Sequence, residues 1–150
     1  MKRFFFLFFV AAALLFSGFK SQAQITKAPD EVKQAFTQKY PDATEADYSN
    51  KLVETDITFK ENGANCKARF SNKGEWIATS KQTSFESLPE AVHDGFNKSK
   101  YADWQVDDVY EIYQPGKDME YKVEVEKNTV QKKNLFFNAK GKMLRDNITI

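Results

Sequence analysis

From residue 119 the chain reads Met119-Glu120-Tyr121-Lys122-Val123-Glu124-Val125-Glu126, apolar and charged residues in alternation. Side chains of a strand point to opposite faces in turn, so this pattern predicts a strand with one dry and one wet face. Val53, Thr55, Ile57 and Phe59 alternate at the matching place in the first half. A different period precedes each. Val32, Phe36 and Tyr40 recur at the spacing of one helix face, and so do Val92 and Phe96. Each run opens on a proline and an acid, at Pro29-Asp30 and Pro89-Glu90. Proline in the first helical position forfeits no hydrogen bond, and acids there suit the helix dipole. Ser87 is the expected N-cap of the second helix. Turn signals at Glu61-Asn62-Gly63, Gln114-Pro115-Gly116 and two Lys-Gly tips divide the rest. The strands are then expected at about 43–49, 52–60, 65–71 and 75–83, and again at about 104–113, 118–126, 130–138 and 142–149.

The two tips repeat one another. FSNKGEW at 70–76 returns as FNAKGKM at 137–143. Each fits a three-residue hairpin loop in which Gly74 or Gly141 supplies the left-handed residue of a bulge. That geometry sets Phe70 opposite Trp76 and Phe137 opposite Met143, and it makes Phe136 and Leu144 cross-strand neighbours. The fold class that follows is α+β, built as two tandem units. Each unit is a helix packed on a four-stranded antiparallel meander sheet, over 24–85 and 86–150.

The start of the chain has another role. Lys2-Arg3 precedes an unbroken apolar run from Phe4 to Phe16, and Ser21-Gln22-Ala23 places small residues where a signal peptidase reads. Residues 1–23 are therefore expected to be a secretory signal peptide, cleaved after Ala23, because the run is too short for a membrane span. Its removal takes away Lys2, Arg3 and Lys20 and leaves nineteen basic against twenty-one acidic residues. A slightly acidic chain lacks the clustered cations that nucleic acid demands, and no second long apolar run suggests membrane insertion of the mature chain.

Candidate chemistry is sparse. Cys66 is the single cysteine and cannot close a disulfide within the chain. It alternates with Ala68 and Phe70, which reads as a small core residue; a reactive thiol is the other reading. His93 is the single histidine, lies between Glu90 and Asp94, and is expected to point outward. One histidine and one cysteine make neither a zinc site nor a catalytic dyad. Asp103, Asp107 and Asp108 cluster around Trp104 without the spacing of a calcium loop, as a solvated strand edge would. No phosphate-binding glycine loop or nucleophile elbow occurs. No catalytic, metal-binding or cofactor-binding residue is assigned, and no cofactor is expected.

Together with the expected signal peptide, four stretches carry a family likeness. Pro29-x-x-Val32-x-x-x-Phe36-x-x-x-Tyr40-Pro41, Phe70-x-x-x-Gly74-x-Trp76, and Leu88-Pro89 with Ser99-Lys100-Tyr101 resemble the PepSY-like proteins over 27–150. These are small secreted bacterial proteins with a fold similar to that of beta-lactamase-inhibitor protein. The resemblance implies two helix-plus-four-strand units side by side, with open sheet faces forming a concave binding surface. It does not carry over inhibition, because the inhibitor's disulfides are absent and no inhibitory contact residue is recognisable.

One surface feature stands out. With Leu135, Phe137 and Met143 facing the second helix, Phe136, Leu144, Ile148 and Ile150 would face away and make both faces apolar. Such a face is either covered by the neighbouring unit or exposed to a partner. Phe136, Leu144 and Ile148 are the candidate contact residues, extended by Trp104, Tyr110 and Tyr113. The expected function is a non-enzymatic, exported binding module, periplasmic or extracellular, that presents a sheet surface to a protein or peptide. The alternative is a peptidase inhibitor or envelope enzyme modulator.

Overall fold

The computed structural model describes residues 27–148; the expected signal peptide and Ile150 lie outside them. Helix α1 spans Asp30–Lys39, followed by strands β1 Thr44–Asn50, β2 Glu54–Glu61, β3 Ala64–Ser71 and β4 Trp76–Thr83. A single 3-10 turn at Phe85–Ser87 leads into α2, Glu90–Asn97. Four more strands follow: β5 Gln105–Tyr113, β6 Glu120–Glu126, β7 Lys132–Asn138 and β8 Met143–Ile148.

The strands do not form two sheets. They join in one antiparallel sheet of eight, in the order β1 to β8. The seam is the β4–β5 ladder, from Thr79 opposite Tyr113 to Thr83 opposite Val109. The two halves thus meet edge to edge, and pairing across the seam satisfies backbone groups that a separate edge strand would leave open.

Register places both helices on the same side. Phe59, Cys66, Lys81, Glu111, Tyr121, Phe137 and Met143 stand opposite one another in a row across the sheet. Directly opposed residues share a face. Phe59 and Cys66 pack in a first core with Val32 and Phe36 of α1. Tyr121 and Phe137 pack in a second core with Val92 and Phe96 of α2. Phe70, Phe137, Val32 and Val92 are among the most completely buried side chains. Val53, expected in the dry row of β2, precedes the strand and is 72% exposed, while Thr55, Ile57 and Phe59 are buried.

Two local expectations need correction. Ser87 does not cap α2. It ends the 3-10 turn, where its N–H donates to Ser84 Oγ, and Pro89 holds the N-cap position of α2 in an extended conformation. A proline drives the preceding residue out of helical geometry, and Leu88 is accordingly extended and buried. His93 does not point freely outward. It is half-buried with its ring edge-on to Phe85, centroids 4.6 Å apart.

Both tips have the expected pairs, Phe70 opposite Trp76 and Phe137 opposite Met143, each beside a register shift. Gly74 and Gly141 have φ of 84° and 75°. Each glycine also abuts the first turn of its helix. A Cβ on Gly74 would lie 2.8 Å from the Glu31 carbonyl oxygen, and one on Gly141 only 1.8 Å from that of Ala91.

Candidate functional site

The face away from the helices is a lattice of polar and aromatic side chains. One row across it runs Gln82, Tyr110, Lys122, Phe136, Arg145. The next runs Lys67, Ser80, Ile112, Glu120, Asn138. This face is therefore mixed, not apolar as expected, and among the described residues the neighbouring half does not stack on it. Two adjoining depressions mark it. One of about 430 Å³ includes Glu45, Lys60, Asn65, Lys67, Gln82, Tyr110 and Lys122 in its lining. The other, about 310 Å³, lies against Lys67, Arg69, Ser80, Ile112, Lys122, Asn134 and Phe136.

Ion pairs and ring contacts hold these groups in place. Lys122 Nζ lies 4.1 Å from the Tyr110 ring centroid and donates to Glu124 at 2.7 Å. The Arg145 guanidinium stacks 3.8 Å from the Phe136 centroid and grips Glu120 with two hydrogen bonds, 3.0 and 2.7 Å. Such cation–ring contacts fix a cation over apolar surface while leaving its outer side wet. Burial, then the nearby Asp108 and Glu124 carboxylates, push the Tyr110 hydroxyl up to about 12. It stays protonated, a donor rather than a base.

Asp56 was not singled out from the sequence. Its side chain is only 5% exposed and collects Lys51 at 2.7 Å, Lys67 at 3.0 Å and Arg69 at 2.9 Å. The signal was present in the register, which sets Asp56 opposite Arg69, but alternation alone marks Asp56 as one more wet residue of a strand.

The six candidate contact residues do not share a surface. Tyr110 and Phe136 lie on the helix-free face, in one row with Lys122 between them. Tyr113 stands opposite Thr79 in the row of Ile57 and Ala68, on the helix side. There it lines a 240 Å³ pocket with Tyr40, Cys66 and Trp76. Trp104 packs against the second core, edge-on to Tyr101. Ile148 stands opposite Lys133, itself opposite the buried Val125, so it too is on the helix side. The cause is the bulge. Phe136 pairs with Arg145 and Phe137 with Met143, which leaves Leu144 as the extra residue and not as the partner of Phe136. Beyond a bulge every side chain changes face. Leu144 is 43% and Ile148 72% exposed.

The remaining reactive groups are accounted for by their neighbours. Cys66 is buried in the first core, and burial, foremost, raises its thiol pKa. Thr79 Oγ1 accepts from Trp76 Nε1 at 2.9 Å and is also hydrogen-bonded to the Tyr40 hydroxyl. Among the described residues one acidic group converges, Asp107 and Asp108 with Glu124 in place of Asp103. Each member already has a donor: Lys132 at 3.4 Å from Asp107, Gln82 at 2.8 Å from Asp108, Lys122 at 2.7 Å from Glu124. These contacts place fixed donors and aromatic rings side by side on the helix-free face.

An eight-stranded antiparallel sheet with helices on one face only defines a BLIP-like α+β protein. More particularly, the chain belongs to the PepSY-like family: the family described as "Putative beta-lactamase-inhibitor-like, PepSY-like" matches residues 53–145, more than half of the chain. Solved structures agree. A BLIP-like protein from Bacteroides fragilis is 27% identical with a TM-score of 0.75, over 82% of this chain and 87% of its own. A DUF2874 family protein from Bacteroides ovatus is 26% identical with the same TM-score, over 81% and 88%. A structure described as "putative periplasmic proteins" from Bacteroides eggerthii is 27% identical, TM-score 0.75, over 81% and 89%. No curated protein matches. No helix among the described residues is long and apolar enough to cross a membrane.

Proposed function

We propose that the protein is an exported, non-enzymatic binding module that presents the helix-free face of its sheet to a protein or peptide partner in the cell envelope. The observation that carries this reading is the two adjoining depressions on that face, walled by Tyr110, Ile112 and Phe136 and edged by fixed cations. Aromatics next to oriented donors are the usual anchors of an interface. The residues 24–85 and 86–150 are read as one unit written twice, which would explain why a face this wide is built from a small repeat. Export rests on the leader-like start and on the description of the B. eggerthii neighbour. Cleavage after Ala23 predicts a mature N-terminus at Gln24 by mass analysis; an intact Met1 on the exported protein rejects it.

The family description, beta-lactamase-inhibitor-like, supports inhibition in general, and the second reading is accordingly an inhibitor of a peptidase or a modulator of an envelope enzyme. One experiment addresses both. Partners are captured from envelope extract with the wild-type protein, a Tyr110→Ala/Phe136→Ala variant, and an Ile148→Ser variant on the opposite face. Capture lost only in the first variant, with its melting temperature held, supports the helix-free face. Capture lost only in the Ile148 variant overturns it. A captured peptidase that the wild-type protein slows selects the inhibitory reading.

A further inference from the structure

The smaller depression of the helix-free face has an uneven charge. Lys67, Arg69 and Lys122 line it, and no carboxylate does. Their counter-charges lie to the side or beneath. Asp56 is buried below Lys67 and Arg69, Glu54 lies 3.4 Å from Arg69 and 3.9 Å from Lys51, and Glu124 pairs with Lys122. Lys51, Lys67 and Arg69 thus share two carboxylates, an excess of one positive charge. An ammonium has three donors and a guanidinium five, so hydrogen bonds to these carboxylates leave donors over on the exposed side. Because the ion pairs already fix the cations, a ligand that meets them loses less side-chain entropy on binding.

A second group in the same depression asks for the opposite partner. Asn134 Oδ1 is the one buried side-chain oxygen or nitrogen without a hydrogen bond among the described residues. The oxygen is shielded in the free protein, so a ligand reaches it only when the amide turns about its soft terminal torsion; it then needs a donor, which a carboxylate cannot supply and an amide N–H can. An anion and an amide donor presented together are the features of a peptide with acidic side chains, and not of a free inorganic anion. The depression reaches from Lys67 on β3 to Asn134 on β7, four strand spacings, or roughly 19 Å, which is the length of about six extended residues.

Resting on the binding-face reading above, we propose that the centre of this face recognises an extended acidic peptide segment, whose carboxylates meet Lys67, Arg69 and Lys122 and whose backbone N–H meets Asn134 Oδ1. The test uses three capped hexapeptides of one alternating sequence, carrying Glu, Gln or Lys at every second position. Each is titrated to millimolar concentration into the isotope-labelled protein, and amide and side-chain NMR shifts are followed. The Glu peptide should move the resonances of Lys67, Arg69, Lys122 and Asn134, and the Lys peptide should not. Loss of one charge-assisted hydrogen bond in Lys67→Gln should weaken the Glu peptide about tenfold. Asn134→Leu should also weaken it while leaving the melting temperature unchanged or higher, because the orphan acceptor is removed; a purely structural role would move stability instead. If the Gln peptide binds this face as well as the Glu peptide, the acidic preference is overturned and the binding face stands. If none of the three moves these resonances, the inference is overturned, and the Tyr110/Phe136 capture experiment still decides the face on its own.

Discussion

Asp56 shows how one residue can organise a surface. Burial alone would push its carboxyl pKa up; hydrogen bonds from Arg69, Lys51 and Lys67 overcome that and hold it well below the usual carboxylate range. The folded chain therefore binds this proton more weakly than the unfolded chain does. The stability it contributes is complete above pH ~4, the ordinary value, and is lost progressively as pH falls below it towards the folded pKa. Asp56→Asn should lower stability at pH 7 by on the order of 2 kcal/mol, since the cations it strips are half-exposed and can turn to water. The gap between wild type and variant should shrink by pH 3. Urea midpoints of both proteins at the two pH values check this, and an equal gap at both would show that packing, not charge, holds the site. The sequence displayed Lys67 and Arg69 as a wet strand face, but only the register reveals that both converge on Asp56. Asn134 was invisible for the same reason: a lone asparagine in a strand says nothing about what fails to reach it.

The tip-and-helix contact is the device that the repeated motif encodes. Pattern alone identified the helices, the strands and the tip pairs, because periods of 3.6 and 2 and the Lys-Gly signals are local. It also identified the left-handed glycines. It did not reveal that each glycine touches the first turn of the preceding helix, at Glu31 for Gly74 and at Ala91 for Gly141, 43 and 50 positions earlier, which is a tertiary fact. Gly95 on α2 is part of the same contact, since a Cβ there would lie 1.9 Å from the Gly141 carbonyl oxygen. Bulges misled the reading at the far end. One extra residue at Leu144 moved Ile148 to the helix side and gave Phe136 to Arg145. A graded series of glycine-to-alanine variants measures the contact. Gly63, with positive φ and open space around it, should cost on the order of 1 kcal/mol. Gly74 should cost more, and Gly141 most, on the order of 3–4 kcal/mol from left-handed strain plus overpacking. Gly95→Ala has no φ strain to explain a loss, so a destabilisation comparable with Gly74→Ala isolates the close approach. Equal denaturation midpoints for Gly63→Ala and Gly141→Ala would mean that the helix does not seat on the tip.

At the scale of the molecule, the decisive feature is the seam. Two separate cores, one under each helix, are the makings of two small domains, and each half alone is near the size at which a single core barely holds a fold. Yet β4 and β5 pair through five successive positions, so neither half has a closed edge without the other. Unfolding one half would expose a full strand edge of its neighbour along with its own core. That cost couples the halves, and it also keeps the helix-free face continuous from Asp56 on β2 to Arg145 on β8. Phe70→Ala and Phe137→Ala test the coupling, one in each core. Each removes a fully buried ring and should cost on the order of 3–5 kcal/mol. If the sheet unfolds as a unit, each variant still shows a single transition, shifted down, with fluorescence and circular dichroism coincident. If the halves are independent, each variant shows two transitions, with only the mutated half shifted. In that case the seam is a contact between neighbours and not a part of one sheet's stability, and the face that spans it would lose its centre whenever either half opened.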